Sequence, residues 1–154
     1  MIFLVVPAIL LLDQCSKFFI SRKIALSQSV PLIKGILYLT LVHNRGAAFG
    51  VLKGQVPFFI LASFVAVILI VLNFRKERRF IYTLSLGLIL AGAIGNLIDR
   101  LCFGYVIDFI DLRVWPVFNV ADSSITVGAV LLAWNILVPK QVVTKSPSHQ
   151  VTKS

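Results

Sequence analysis

The chain has 154 residues, 58% of them hydrophobic and 14% charged, with a mean hydropathy of +0.96. Soluble domains run at about 45–50% apolar and about 25% charged, so an ordinary soluble fold is excluded. The net charge is +9. Its cations sit in short loops without an aromatic-interleaved basic stripe, which excludes nucleic acid as the expected partner and favours anionic lipid head groups.

The chain opens with MIFLVVPAILLLDQCSKFFI, an apolar run interrupted by Asp13 and Lys17. It lacks the basic n-region and A-x-A cleavage site of a secretory signal peptide, so it is read as an anchored helix over about 1–20. Asp13 and Lys17 stand one turn apart on one face and can pair. Ionisable groups inside a membrane helix are costly. The pair is therefore either a structural bridge or the polar wall of a site.

Residues 21–55 form the longest polar-containing interval. Within it, GILYLTLVHNRGAAFGVL is rich in β-branched and aromatic residues and ends in glycines. That predicts one or two short strands lying on the membrane surface. Three stretches then carry no charge: Gln55 to Phe74, Phe80 to Ile98 and Ser123 to Pro139. Each is long enough to cross a hydrocarbon core of about 30 Å as a helix. The expected helices are about 56–73, 80–98 and 119–137.

Between the second and third spans lie Arg75, Lys76, Arg78 and Arg79, and the chain ends in a basic tail that repeats VTKS. The positive-inside rule places both in the cytoplasm. The expected layout is one four-helix domain over 1–139 and a disordered basic cytoplasmic tail over 140–154, with both termini cytoplasmic. Lys17, Arg22, Lys23, Lys34, Arg45, Lys53, Arg100 and Arg113 then fall on the disfavoured side. Contacts with phosphates or with the aspartates would account for them.

In AGAIGNLIDR, Asn96, Asp99 and Arg100 share one face of the third helix and read as supports for neighbouring loops. Ala91, Gly92 and Gly95 are small enough for another helix to approach closely. The next segment, GYVIDFIDLRVWPVFNVAD, holds three of the six acidic residues: Asp108, Asp111 and Asp122. It is read as a loop returning from the third helix to the fourth. Asn119 is a good N-cap, which puts Asp122 in the first turn, where the helix dipole favours a carboxylate. Capping alone accounts for Asp122. The return can also bring Asp108 over Asp122, and two carboxylates in a low-dielectric site share a proton, as in an aspartic-protease dyad. Asp111 is the competing partner, read as a solvated loop carboxylate paired with Arg113. Cys15 and Cys102 are read as buried thiols. With two His and no CxxC or HExxH spacing, neither a metal nor a cofactor is expected.

DQCSK at 13–17, NRGAAFG at 44–50, GNLIDR at 95–100, GYVIDF at 104–109 and FNVAD at 118–122 follow one another on this four-helix frame. In that order the chain resembles the bacterial lipoprotein signal peptidase (signal peptidase II) family, up to about residue 137. The resemblance implies an α-helical polytopic membrane protein with four transmembrane helices and a small extracytoplasmic β-cradle formed by about 21–55. It implies an intramembrane aspartyl endopeptidase of the bacterial inner membrane, active near the extracytoplasmic face. Such enzymes remove the signal peptide from prolipoproteins, cutting before a cysteine that carries a diacylglyceryl group. The family's catalytic aspartates match Asp108 and Asp122. Its substrate-binding and supporting residues match Asp13, Lys17, Asn44, Arg45, Asn96, Asp99, Arg100 and Asn119. The implied partners are diacylglyceryl-modified prolipoproteins and membrane lipids, with no nucleic acid, no obligate protein partner and a monomeric enzyme.

Read from the residues alone, three other classes compete. A proton channel or transporter would use the buried aspartates and Lys17 as a relay, but the carboxylates cluster at one face and no internal repeat is visible. A membrane scaffold would use Asn and Asp as interhelical glue. A serine peptidase would need Ser123 or Ser124 with His43, and no GxSxG context surrounds either serine.

Overall fold

Four helices carry most of the chain in a computed structural model, which describes residues 2–46, 54–73 and 79–138, with side chains from residue 4 onward. They are α1 (Ile2–Lys23), α2 (Val56–Asn73), α3 (Phe80–Phe103) and α4 (Val120–Leu137). All four are long and apolar enough to cross a membrane. Helices suit a bilayer because they satisfy every backbone hydrogen bond internally. The basic residues Arg75, Lys76 and Arg78, Lys53, the AAFG stretch at 47–50 and the expected tail at 140–154 lie outside the described residues.

α3 is the central helix and packs against the other three. Its small residues permit this. A Cβ at Gly95 would stand 2.7 Å from a carboxylate oxygen of Asp13 on α1, and one at Gly92 would collide with the Ala121 carbonyl on α4. From the other side, Gly128 of α4 lies against the Ser85 carbonyl of α3. Lipid tails are as apolar as leucine, so such close backbone approach is what holds membrane helices together. α2 packs on α3 and has no buried residue.

α3 runs past the expected end at Ile98 as far as Phe103, where Gly104 closes it in the left-handed conformation with its amide donating to the Arg100 carbonyl. This is the usual glycine stop. Charge at Asp99 and Arg100 does not end the helix; Asp99 is paired with a lysine from α1.

β1 (Ser29–Ile33) and β2 (Leu37–Asn44) form a hairpin whose turn places Gly35 at φ 83°. The third strand corrects the sequence reading. Residues expected to be loop form β3 (Val106–Asp111), antiparallel to β2, in a sheet of order β1-β2-β3. Asp108 faces Val42 across the ladder, and Asn44 faces Val106. Asn44 is thus the diagonal neighbour of Asp108, within side-chain reach. A small apolar core of Ile24, Leu41 and Ile107, flanked by Ile20, Leu39 and Tyr105, fastens the sheet to the end of α1.

Two further expectations are overturned. Cys15 and Cys102 are exposed free thiols, not buried ones; both project from the protein surface of membrane-spanning helices. Asp111 is a strand carboxylate and buried, not a solvated loop group. It does pair with Arg113, at 3.6 Å. It also accepts the Thr40 hydroxyl at 2.6 Å and the Arg113 amide at 2.8 Å. Burial alone would raise its pKa. These donors outweigh burial and hold the carboxyl below its usual range.

Candidate active site

α1, α3, β2 and β3 converge on the N-terminus of α4. Asn119 caps that helix: its side-chain oxygen accepts the Asp122 amide at 2.8 Å, while the Asn119 amide donates to the Asp122 carboxylate at 3.3 Å. This reciprocal box satisfies two of the amides a helix start leaves free. A third, from Ala121, donates to Asp13 of α1 at 2.8 Å. Asp13 is therefore a cap supplied from across the bundle.

Behind the cap lies an ion cluster. Lys17 pairs with Asp13 at 2.8 Å and with Asp99 at 2.9 Å, and donates to the Asn96 side-chain oxygen at 3.1 Å. Its three ammonium hydrogens thus have three acceptors. Lys17 is only 1% exposed, and both aspartates are equally enclosed. Asp99 also accepts the Ile107 amide at 3.1 Å, which ties β3 to α3. The lysine and Asp13 are adjacent in sequence pattern, but Asp99 was not expected as a second partner.

Two asparagines carry this cluster to the remaining carboxylates. Asn96 donates to Asp122 at 2.7 Å. Asn119 donates to Asp108 at 2.7 Å and to the Asn96 side-chain oxygen at 3.1 Å. Asn44 reaches Asp108 from β2 at 2.9 Å. Asp108 and Asp122 both line one cavity of about 270 Å³, together with Asn44, Asn96 and Arg100. The Arg100 guanidinium lies 5.2 Å over the Phe59 ring of α2. Asp13, Lys17, Asp99 and Asn119 stand behind the lining. Arg45 is exposed and does not border the cavity.

Asp108 is 1% exposed and, among the described residues, its oxygens accept hydrogen bonds from neutral amides only. Burial, followed by the nearby Asp122 charge, raises its pKa to about 7 against the pull of Asn44, Asn119 and Lys17. Two carboxylates bordering one space, one of them protonated near neutral pH, can serve as an acid and a base toward a shared water.

Gln14 is a residue that the sequence reading passed over. Its side-chain nitrogen donates to Asp13, Asp99 and the Gly95 carbonyl, at 3.1, 3.1 and 3.3 Å. Its place beside Asp13 on the first helix was the only signal. Trp115, Pro116, Val117 and Phe118, which line the cavity, were likewise read only as connection.

Residues 5–138 match the family model described as Signal peptidase (SPase) II. The chain belongs to the signal peptidase II family. A lipoprotein signal peptidase of Halothermothrix orenii is 49% identical over 133 residues, covering 86% of this chain and 92% of that protein. One of Moorella thermoacetica is 46% identical over 133 residues, covering 85% and 89%. A solved bacterial membrane enzyme, determined by the in meso method, matches with a TM-score of 0.85 at 34% identity, over 88% of this chain and 87% of that one. As a signal peptidase II, the chain is a protease and a multi-pass membrane protein.

Proposed function

We propose that this chain is an aspartyl endopeptidase that removes the signal peptide from bacterial prolipoproteins. It cuts immediately before the diacylglyceryl-modified cysteine, with Asp108 and Asp122 as the catalytic pair. The observation that carries the reading is the pair itself: two carboxylates on one cavity, with Asp108 raised to about 7. Asp122, in the first turn of α4 and bonded to the Asn119 amide, serves as the base of the pair. It takes a proton from water as the oxygen attacks the scissile carbonyl carbon. Protonated Asp108 gives its proton to the carbonyl oxygen, leaving a neutral gem-diol. Collapse returns a hydroxyl proton to Asp108, the C–N bond breaks, and the proton on Asp122 passes to the leaving amine.

Asn44, Asn96 and Asn119 hold the carboxylates in register. Asp13, Lys17 and Asp99 hold the asparagines and the start of α4. Arg100 and Arg45 face the substrate and lipid head groups; for Arg45, an Arg45→Ala enzyme with unchanged KM and kcat would remove the role. In this reading the 1–139 domain works as a monomer in the inner membrane. Both termini and the 140–154 tail are cytoplasmic, and the sheet and dyad lie at the extracytoplasmic face, the depth at which a lipid-anchored cysteine presents its peptide bond. Anchoring in the same plane also converts part of the encounter entropy into orientation.

The test is cleavage of a diacylglyceryl-modified prolipoprotein by wild type, Asp108→Asn and Asp122→Asn in detergent. Both variants are expected to lose roughly 10²–10⁴-fold in rate while staying monodisperse. Cleavage at wild-type rate by either one places the chemistry elsewhere.

A further inference from the structure

The connection from β3 to α4, residues 112–119, is fastened at both ends. At the far end the Phe118 amide donates to the Ile110 carbonyl at 3.0 Å, and the Ile110 amide returns the bond at 2.8 Å. The near end makes a tighter turn. There the Val114 amide donates to the Leu112 carbonyl at 2.8 Å across Arg113, whose φ is 66°. A three-residue turn of this hand is rare and strained for a residue with a Cβ. Such a conformation persists only where its surroundings over-determine it.

The sheet supplies those surroundings. The Arg113 amide donates to Asp111 of β3 at 2.8 Å, and its side chain pairs with the same carboxylate at 3.6 Å. The guanidinium lies 3.7 Å over the Tyr38 ring of β2 and donates to the Ser29 hydroxyl of β1. One residue thus reaches all three strands. Val114 beside it is 90% exposed, so packing of that side chain does not hold the turn. The residues that follow, Trp115 to Phe118, line the cavity of the two carboxylates, and Arg113 itself stands outside the lining.

We propose that Arg113 is a positioning residue for the peptidase reaction: by latching the β3–α4 connection to the sheet, it sets the cavity wall against which the substrate peptide lies. The inference rests on the reading of the chain as a peptidase. The wall meets the peptide beside the scissile bond, not the reacting atoms. It therefore holds the substrate equally well before and in the transition state. Loss of uniform binding of this kind raises KM and leaves kcat where it was. The strained turn fits the role, because a wall fixed by a side-chain latch keeps one position that packing alone does not impose.

The experiment measures kcat and KM on a diacylglyceryl-modified prolipoprotein in detergent, with melting curves on the same preparations. Arg113→Ala is expected to raise KM about tenfold at unchanged kcat, inside the hundredfold that a 1 Å misplacement costs. Arg113→Gly removes the strain along with the side chain. It is expected to show the same KM, and it replaces Arg113→Ala if that variant is not monodisperse. Tyr38→Leu keeps every charge and takes away the ring beneath the guanidinium. Its KM is expected to rise about threefold, the worth of an exposed cation–π contact. Lys34→Ala removes a cation from the exposed β1–β2 turn, outside the cavity lining, and its KM is expected to stay at the wild-type value. A residue that only supported the fold would lower the folded fraction, and with it the maximal rate, at constant KM. That result overturns the proposal, as do wild-type constants in Arg113→Ala. An equal rise in KM for Lys34→Ala would mean that positive charge, not a latch, gathers the substrate, and overturns it too. Failure of the dyad is distinct: it shows as an active Asp108→Asn enzyme and leaves the Arg113 comparison standing.

Discussion

Asn119 donates its side-chain nitrogen to Asp108 at 2.7 Å, while its side-chain oxygen accepts the amide of Asp122 at 2.8 Å. One carboxamide thus starts α4 and tethers the strand carboxylate to it. The two roles separate by substitution. Serine caps a helix about as well as asparagine but is too short to reach Asp108. Asn119→Ser is expected to melt within about 2–4 °C of wild type, the shift produced by ~1 kcal/mol, yet to lose about tenfold to a hundredfold in kcat/KM. Asn119→Ala loses the cap as well, a further ~1 kcal/mol. Thermal melts and cleavage rates on the same preparations decide it, and a fully active Asn119→Ser removes the tether from the mechanism.

Lys17 pairs with Asp13 and Asp99 at once. Lys17→Met strands two enclosed carboxylates, and breaking a buried pair in this way costs about 3–5 kcal/mol. Adding Asp13→Asn and Asp99→Asn is expected to restore most of the loss, since amides keep the hydrogen-bond acceptors without the charge. Unfolding by SDS titration measures both. Equal stability of Lys17→Met and wild type means the aspartates are not charged in the fold.

A methyl at Gly95 would stand 2.7 Å from the Asp13 carboxylate. That carboxylate is held by Lys17 and by the Ala121 amide, so it can yield only by giving up a bond. Gly95→Ala is expected to cost about 1–3 kcal/mol, the range for overpacking. It should also lower cleavage by loosening the start of α4. A melting curve unchanged by the substitution shows that α1 moves aside freely.

Asp108 sets a pH dependence. Its folded pKa is about 7 and its ordinary value 3.8. Between those values the folded state keeps a proton that the unfolded chain has lost. Stability therefore falls as pH rises through this window and levels off above it. The same deprotonation removes the proposed acid, so kcat/KM falls as pH rises past about 7. Asp108→Asn should flatten the dependence of melting temperature on pH between about 4 and 7. A variant whose melting temperature tracks wild type across that range contradicts the raised pKa.

Much of the framework was legible before any coordinates. The spans at 56–73 and 80–98 follow from bilayer thickness, which sets helix length without reference to neighbours. The cap at Asn119 and the pairing of Asp13 with Lys17 are local, within four residues, and chain geometry dictates them. β3 was not legible. VIDFID is buried on both faces except at Ile110, so it shows no polar face to the solvent and resembles a connection between helices. The exposed cysteines misled for a related reason: burial means little in the sequence of a helix whose outer surface is lipid.

By itself, the sequence determines that this chain is a four-helix membrane protein whose few carboxylates gather near one end of its spans, because those features depend on composition and on short-range spacing. Only the tertiary structure decides which carboxylate does what. Lys17 meets Asn96, and Asp13 meets the Ala121 amide, across separations of 79 and 108 residues. Those contacts leave Asp13 and Asp99 paired with Lys17 behind the wall, and leave Asp108 facing the cavity among neutral amides. The side chains are chemically identical. What separates them is the partner that each finds once α1, α3 and α4 close at glycines.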